Sequence, residues 1–273
     1  MKKRLLLVSA ALLVILCVSA GVLTAPAAAE KPVAARTWTY LNLTTLLSPN
    51  WAWIVMPGHR YEFYRDNDPS RDAPGVPDTK ETYFWEFFTG PVYIKKFGDL
   101  TLKLPLWYYY MGFPVNSTDK YFYSHNIEFL PIVEYKIDRL KLYNRVIFHN
   151  KVYAHNTVYT KEQYSGYSLL IREKFQVSYA LTKEFALILA DELFFGAIED
   201  KDTKDIAKGE PFFAQKKFNK NRLYAGGAYK FTPFLNLSLQ YVYETNYNPD
   251  NDGALTERDH YIMTTLTYVL KLF

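Results

Sequence analysis

Beyond its first 29 residues the chain contains no cysteine, because its single cysteine is Cys17. No disulfide can therefore hold the folded part together. The start of the sequence nevertheless predicts export, since a basic head, an apolar run and the small residues 27–29 form the pattern of a cleaved secretory signal peptide. We expect residues 1–29 to be removed and residues 30–273 to fold as one domain. An uncleaved anchor is the alternative, because residues 5–29 are long enough to span a bilayer.

Net charge is also nearly absent from the exported part. The whole chain has 32 Lys and Arg against 28 Asp and Glu, and residues 1–29 carry three of the basic residues and no acidic one. The remaining 29 basic and 28 acidic residues leave a net charge of +1. A chain without a basic excess is not expected to bind nucleic acid.

Long apolar runs are missing after residue 29, and the longest candidate, residues 185–198, is interrupted by Asp191 and Glu192. This excludes a membrane-spanning helix in the exported part. Aromatic residues are abundant instead, at 18% of the chain with 24 Tyr and 19 Phe. A tyrosine-rich exported chain without a spanning helix is either a secreted β protein or an outer-membrane barrel.

A two-residue period dominates what remains, most clearly in residues 221–243. Polar and apolar residues alternate on both sides of a break at Thr232-Pro233, which predicts a β-hairpin with one polar and one apolar face. Leu237, Leu239 and Tyr241 share the apolar face, which we expect to contact lipid. The intervening Asn236, Ser238 and Gln240 should then point inward. Glu173 disturbs the apolar face of its own strand unless it lies near a membrane interface.

Short and long connections alternate between these runs. This pattern is typical of a transmembrane barrel with short periplasmic turns and long outer loops. The longest loops are residues 66–80 and 197–215. The predicted fold is an all-β, antiparallel, up-and-down transmembrane β-barrel of about 10–12 strands. About eleven strands can be counted, whereas bacterial single-chain barrels have even numbers. Either residues 38–47 are not part of the wall or one strand is missed, and we favour twelve.

Candidate catalytic residues are scarce. Some outer-membrane lipid hydrolases use a serine and a histidine two residues apart on one strand face, and none of the five histidines has a serine at that spacing. The acidic stretches at Asp66, Asp68 and Asp72 and at Asp250 and Asp252 lack the complete calcium-loop pattern. We therefore expect neither an enzyme nor a metal or other cofactor.

Charged residues on the polar strand faces are the most informative candidates. Charge on the lipid side of a barrel costs about 2–4 kcal/mol near the midplane, so these side chains should point into the lumen. The expected lumen charge network consists of Arg145, Arg172, Lys174, Arg222, Glu192 and Glu128. We expect at least one of the arginines to pair with Glu192. Such a network either seals a small barrel or lines a narrow polar path.

From about residue 140 to the end, the sequence resembles the DUF2490 family of outer-membrane barrels. The resemblance lies in Asn144-Arg145, in the runs at residues 190–195 and 218–226, and in the strand at residues 237–243. It implies a barrel and carries no established chemistry. The expected protein is an integral outer-membrane barrel of a Gram-negative-type envelope, either a porin-like channel for small polar or anionic solutes or a closed scaffold.

A lipid-modifying enzyme and a barrel that binds partners through its outer loops are the alternatives. The expected partners are outer-membrane lipid and, because the sequence ends on Phe273, the barrel assembly machinery. Small solutes are a further possible partner, and nucleic acid is not expected.

Overall fold

The computed structural model describes residues 33–65, 81–115, 120–156, 163–199, 216–248 and 253–273. The signal-peptide prediction for residues 1–29 lies outside these ranges, as do residues 66–80 and 200–215 of the long loops. The strands are β1 (Val33–Ser48), β2 (Trp51–Arg65), β3 (Glu81–Phe97), β4 (Leu100–Val115), β5 (Lys120–Phe129), β6 (Ile132–Ile137), β7 (Leu140–Asn156), β8 (Gln163–Ala180), β9 (Phe185–Ile198), β10 (Lys217–Lys230), β11 (Leu235–Asn248) and β12 (Ala254–Lys271).

The described residues include no helix that is long and apolar enough to cross a membrane.

The strands form one closed barrel, because each pairs with its neighbours and β1 pairs with β12. Strands β5 and β6 occupy a single position in the wall between β4 and β7. The backbone pairing continues through their junction, where Leu130 N–H donates to Pro105 O at 3.0 Å and Val146 N–H donates to Pro131 O at 3.1 Å. The barrel wall therefore has eleven strands.

The closing seam explains how an odd number of strands can form a barrel. Strands β1 and β12 run parallel, with Val33 opposite Arg258 and Leu46 opposite Lys271. All other pairings are antiparallel. The preference for twelve strands was wrong, and so was the alternative that residues 38–47 lie outside the wall. The even-number rule assumes an antiparallel closure, which this barrel does not use.

One end of the barrel carries only short connections, at residues 49–50, 98–99, 138–139, 181–184 and 231–234. The two four-residue turns share a device, since the hydroxyls of Thr182 and Thr232 each accept two backbone N–H groups at 3.0–3.1 Å. We call this the short-turn end. The connections at the opposite end, the loop end, are longer except for residues 116–119.

The outer surface is apolar, as the alternation predicts. Leu239 exposes 55% of its surface, whereas its neighbour Gln240 exposes 7%. Exposed aromatic side chains mark both margins: Trp51, Trp53, Tyr179, Tyr229 and Phe231 near the short-turn end, and Tyr61, Trp85, Tyr167 and Phe195 towards the loop end. Exposed leucines lie between them. An apolar band between two aromatic girdles is the surface of a barrel that sits in a bilayer.

Candidate functional site: the lumen charge network

The strand register places six charged residues side by side across β7 to β12. Arg145 lies opposite Lys174, Lys174 opposite Glu192, Glu192 opposite Arg222, Arg222 opposite Glu244 and Glu244 opposite Asp259. Each faces the lumen because each alternates with outward residues on its strand. We call this row the charged rung. Glu192 interrupts the apolar sequence of β9 because it occupies the β9 position of this row.

Glu192 is the centre of the rung and is fully buried. Arg145 and Arg172 donate to its Oε1 at 2.8 and 2.9 Å, and the Tyr224 hydroxyl donates to its Oε2 at 2.5 Å. Arg222 lies 3.9 Å from Oε2 and hydrogen-bonds to Glu244. Charge-assisted hydrogen bonds of this kind compensate the cost of burying a carboxylate. Glu192 therefore joins β7, β8, β9 and β10 across the inside of the wall.

A closed ring of contacts extends the rung around the lumen. From Glu192 the path goes through Arg172 to Glu128 at 3.8 Å and from Glu128 to His149 at 2.6 Å. It continues through ring contacts that join His149, Tyr109, Phe88, Tyr40 and Trp38. It returns through the Arg222 guanidinium, 5.0 Å from the Trp38 ring centre, to Glu192.

Buried side chains pack against one another inside this ring. Tyr40 packs against two clusters of buried side chains, one around Trp38, Tyr224 and Tyr261 and the other around Phe88, Tyr109 and Ile147. These clusters come from different arcs of the wall. Tyr40 therefore connects the two clusters across the inside of the barrel.

Two further ion-pair groups on β1, β2 and β3 were not among the residues expected from the sequence. Arg60 donates to Glu86 at 2.8 Å, and the Tyr40 hydroxyl donates to the other oxygen of Glu86, also at 2.8 Å. Arg36 pairs with Glu62 at 2.7 Å and with Asp259 at 3.1 Å. The spacing of Arg60 and Glu62, two apart on one strand face, is the signal that could have identified this half of the network.

Lys174 differs from the other members. It exposes only 8% of its surface, and its ammonium lies 3.5 Å from the centre of the Tyr224 ring. Among the residues that the structure describes, no carboxylate lies within ion-pair distance of Lys174. The expected network thus contains one buried cation held by an aromatic face instead of an acid.

The histidines do not assemble a hydrolase site in the part of the chain described. His59, His125 and His260 lie on the outer face, where His125 and His260 contact Tyr108 and Tyr241 at 2.6 and 2.5 Å. His149 faces the lumen and pairs with Glu128, and no serine hydroxyl bonds to it. The side chain of His155 lies outside the described residues.

The acidic loop residues Asp66, Asp68, Asp72, Asp250 and Asp252 also lie outside the described ranges. Within those ranges no cluster of three or more potential metal ligands occurs.

Two carboxylate–amide pairs lie on the outward side of the wall. Glu173 is exposed midway between Tyr167 and Tyr179 along β8, not near either girdle, and it accepts a hydrogen bond from Asn144 at 3.1 Å. A neighbouring outward carboxylate, Asp191, is covered and accepts from Asn221 at 2.5 Å. The amide partners reduce the cost of these carboxylates on an apolar surface.

A closed β-barrel with an apolar exterior and an ion-paired interior defines the class of this protein. The chain belongs to the family described as "Protein of unknown function (DUF2490)", whose model matches residues 35–254. This confirms the family resemblance and extends it into the N-terminal half. A comparison with curated proteins gives no match.

Among solved structures, the barrel is similar to "Outer-membrane expressed OmpT of Vibrio cholerae". That match has 12% sequence identity and a TM-score of 0.34, and it covers 86% of this chain and 93% of the other. A likeness at this level transfers no residue role to the chain.

Proposed function

We propose that the protein is an integral outer-membrane barrel that is closed at its centre and acts as a scaffold rather than an open pore. The observation that carries the proposal is the ring of buried ion pairs and aromatic contacts through Trp38, Arg222, Glu192, Arg172 and Glu128. A barrel of eleven strands is narrow, and these side chains fill its cross-section. Export directed by residues 1–29 and contact of the apolar band with lipid belong to the same proposal.

Planar-bilayer recording on refolded protein tests the closed lumen. We expect no stable conductance steps at moderate voltage from the wild-type barrel. Insertion must be shown independently, by protease protection and by heat-dependent migration of the folded form on a gel. A steady ohmic conductance from protein that passes both controls would show an open path and refute the closed barrel.

Comparing the conductance of the wild type with that of a lumen-charge variant distinguishes a sealed scaffold from a narrow channel. If the network is a plug in a conducting path, Glu192→Gln removes its central carboxylate, and conductance should rise with reversal potentials shifted towards anions. If neither the wild type nor Glu192→Gln conducts ions, the channel hypothesis is refuted. The enzyme alternative has no assembled site among the described residues, and the loops that a surface-binding barrel would use lie largely outside them.

A further inference from the structure

Inward-facing side chains are less buried in the half of the lumen towards the short turns than in the half towards the loops. Between the charged rung and the short-turn end, small inward-facing side chains are only half-buried: Gln176, Ser178, Gly226, Ala228, Ser238 and Thr265. On the loop side, inward Ser124, Ser168 and Ala34 are fully buried. Small side chains that face inward yet remain accessible indicate a water-filled recess, which we call the short-turn vestibule.

Basic side chains on and beside the charged rung, which forms the inner end of the vestibule, outnumber the carboxylates that they contact. The four cations Arg145, Arg172, Lys220 and Arg222 pair with the three carboxylates Glu128, Glu192 and Glu244. The excess is local, because on the adjoining arc Arg36 pairs with three carboxylates. Lys174 has no carboxylate within ion-pair distance among the described residues. Burying an ammonium away from any carboxylate is costly, so an anion bound beside Lys174 would reduce that cost.

The side chain of Lys174 leans towards the vestibule. The Lys174 ammonium lies over Tyr224, which is nearer to the short turns on β10 than the rung is. The Nε atoms of Arg145 and Arg172 are buried and have no hydrogen-bond partner. Arg145 is the nearer of the two to the vestibule, because Arg172 lies on the loop side of the rung.

The mouth of the vestibule is also positively charged. Lys103 and Lys141 share one carboxylate, Glu134, at 2.8 and 3.2 Å. Lys141 follows the same strand face as Arg145 and exposes 44% of its side chain. A positive entrance above a positive floor raises the local concentration of anions.

We propose that the short-turn vestibule binds a small free oxyanion, such as inorganic phosphate or a carboxylate, against Lys174 and Arg145. The hydroxyl of Ser178 and the amide of Gln176, which already bond to each other at 3.0 Å, supply neutral hydrogen bonds to the same ligand. The ligand is a free anion rather than a lipid headgroup, because an acyl chain attached to it would lie in the aqueous lumen. This inference rests on the proposed closed barrel, which makes the vestibule a dead end.

Inorganic phosphate is the probe. Urea unfolding of the barrel in non-ionic detergent should be measured while phosphate replaces chloride at constant ionic strength, so that general screening is unchanged. A ligand that binds only the folded barrel raises the unfolding midpoint in a saturable manner. We expect saturation for the wild type and at least a tenfold weaker apparent affinity for Lys174→Gln. Lys183→Gln, the same charge change on an exposed short turn, should behave as the wild type does.

Lys174→Gln should fold, because it removes an uncompensated charge and keeps a polar side chain. Ser178→Ala is a second variant that leaves the rung intact and should weaken phosphate binding several-fold. The proposal is overturned if the wild type shows no saturable dependence, or if Lys174→Gln and Lys183→Gln respond alike. Stronger stabilisation by a monoacyl phosphate lipid than by inorganic phosphate would overturn the free-anion form.

The experiments can refute the closed lumen and the anion site independently of each other. Saturable phosphate binding in a barrel that conducts ions refutes the closed lumen alone, whereas a silent barrel without phosphate dependence refutes the anion site alone.

Discussion

Glu192→Gln is the substitution that tests the centre of the barrel most directly. The glutamine keeps the shape of the side chain but turns one acceptor oxygen into a donor and removes the negative charge. Arg145 and Arg172, which donate to Glu192 at 2.8 and 2.9 Å, would then face a neutral group in a buried position. Lys174, the cross-strand neighbour of Glu192, would lose the nearest negative charge.

The expected loss follows from the geometry of the pair. Removing one partner of a buried ion pair costs about 3–5 kcal/mol, since the remaining charge stays buried without compensation. Glu192 is fully buried and serves several partners, so we expect the free energy of unfolding to fall within that range. Urea titrations of folding and unfolding in liposomes measure it, provided that the two directions coincide.

Two further variants make the result specific. The double variant Glu192→Gln with Lys174→Gln should recover part of the lost stability, because it removes one of the cations left without a counter-ion. Asp99→Asn, on an exposed short turn, should change stability by less than about 0.5 kcal/mol. Unchanged stability in Glu192→Gln would mean that water already solvates the carboxylate, and the packed lumen would then be wrong.

Three other outcomes follow from positions along the wall. Glu173→Gln should stabilise the barrel in lipid by about 1 kcal/mol, since it removes a lipid-facing charge, and Asp99→Asn measured in the same urea series should not. Gly226→Ala should destabilise it by about 1–3 kcal/mol, because an added Cβ would lie 2.2 Å from Leu239 O and 2.6 Å from Gln240 Cα; a calorimetric midpoint equal to wild type would contradict this. In a protein produced as residues 30–273, which contain no cysteine, a lipid-soluble maleimide should label Leu239→Cys faster than Gln240→Cys, and the reverse order would mean that the barrel faces are inverted.

The β10–β11 hairpin is the part of the fold that the sequence predicted best. Leu239 and Tyr241 are exposed while Gln240 and Glu244 are buried, because on this hairpin most inward residues are polar and most outward residues are apolar, with Tyr224 and Val242 as inward exceptions. Polarity and direction agree there, so a two-residue period is enough to assign both faces.

The N-terminal strands were harder to read for a physical reason. Trp38, Phe88 and Trp107 are large apolar side chains that point inward. Apolar residues therefore occur on both faces of these strands, and the alternation no longer separates lipid from lumen. Arg36 and Arg60 were missed because they share a face with these aromatic residues. The seam was missed because strand direction at closure is a property of the whole sheet, which no local pattern contains.

The parallel seam also fixes which rearrangements of the chain the fold can accept. In a barrel with an antiparallel closure, the first strand begins and the last strand ends at the same rim, so a short peptide could join them. Here β1 begins at Val33 by the loop end, and β12 ends at Lys271 by the short turns. A linker between them would have to cover the height of the apolar band, about 25 Å, through the packed lumen or through lipid. Domains whose ends lie close together widely tolerate circular permutation with a short linker. This barrel should not tolerate it, because its first strand begins and its last strand ends at opposite rims.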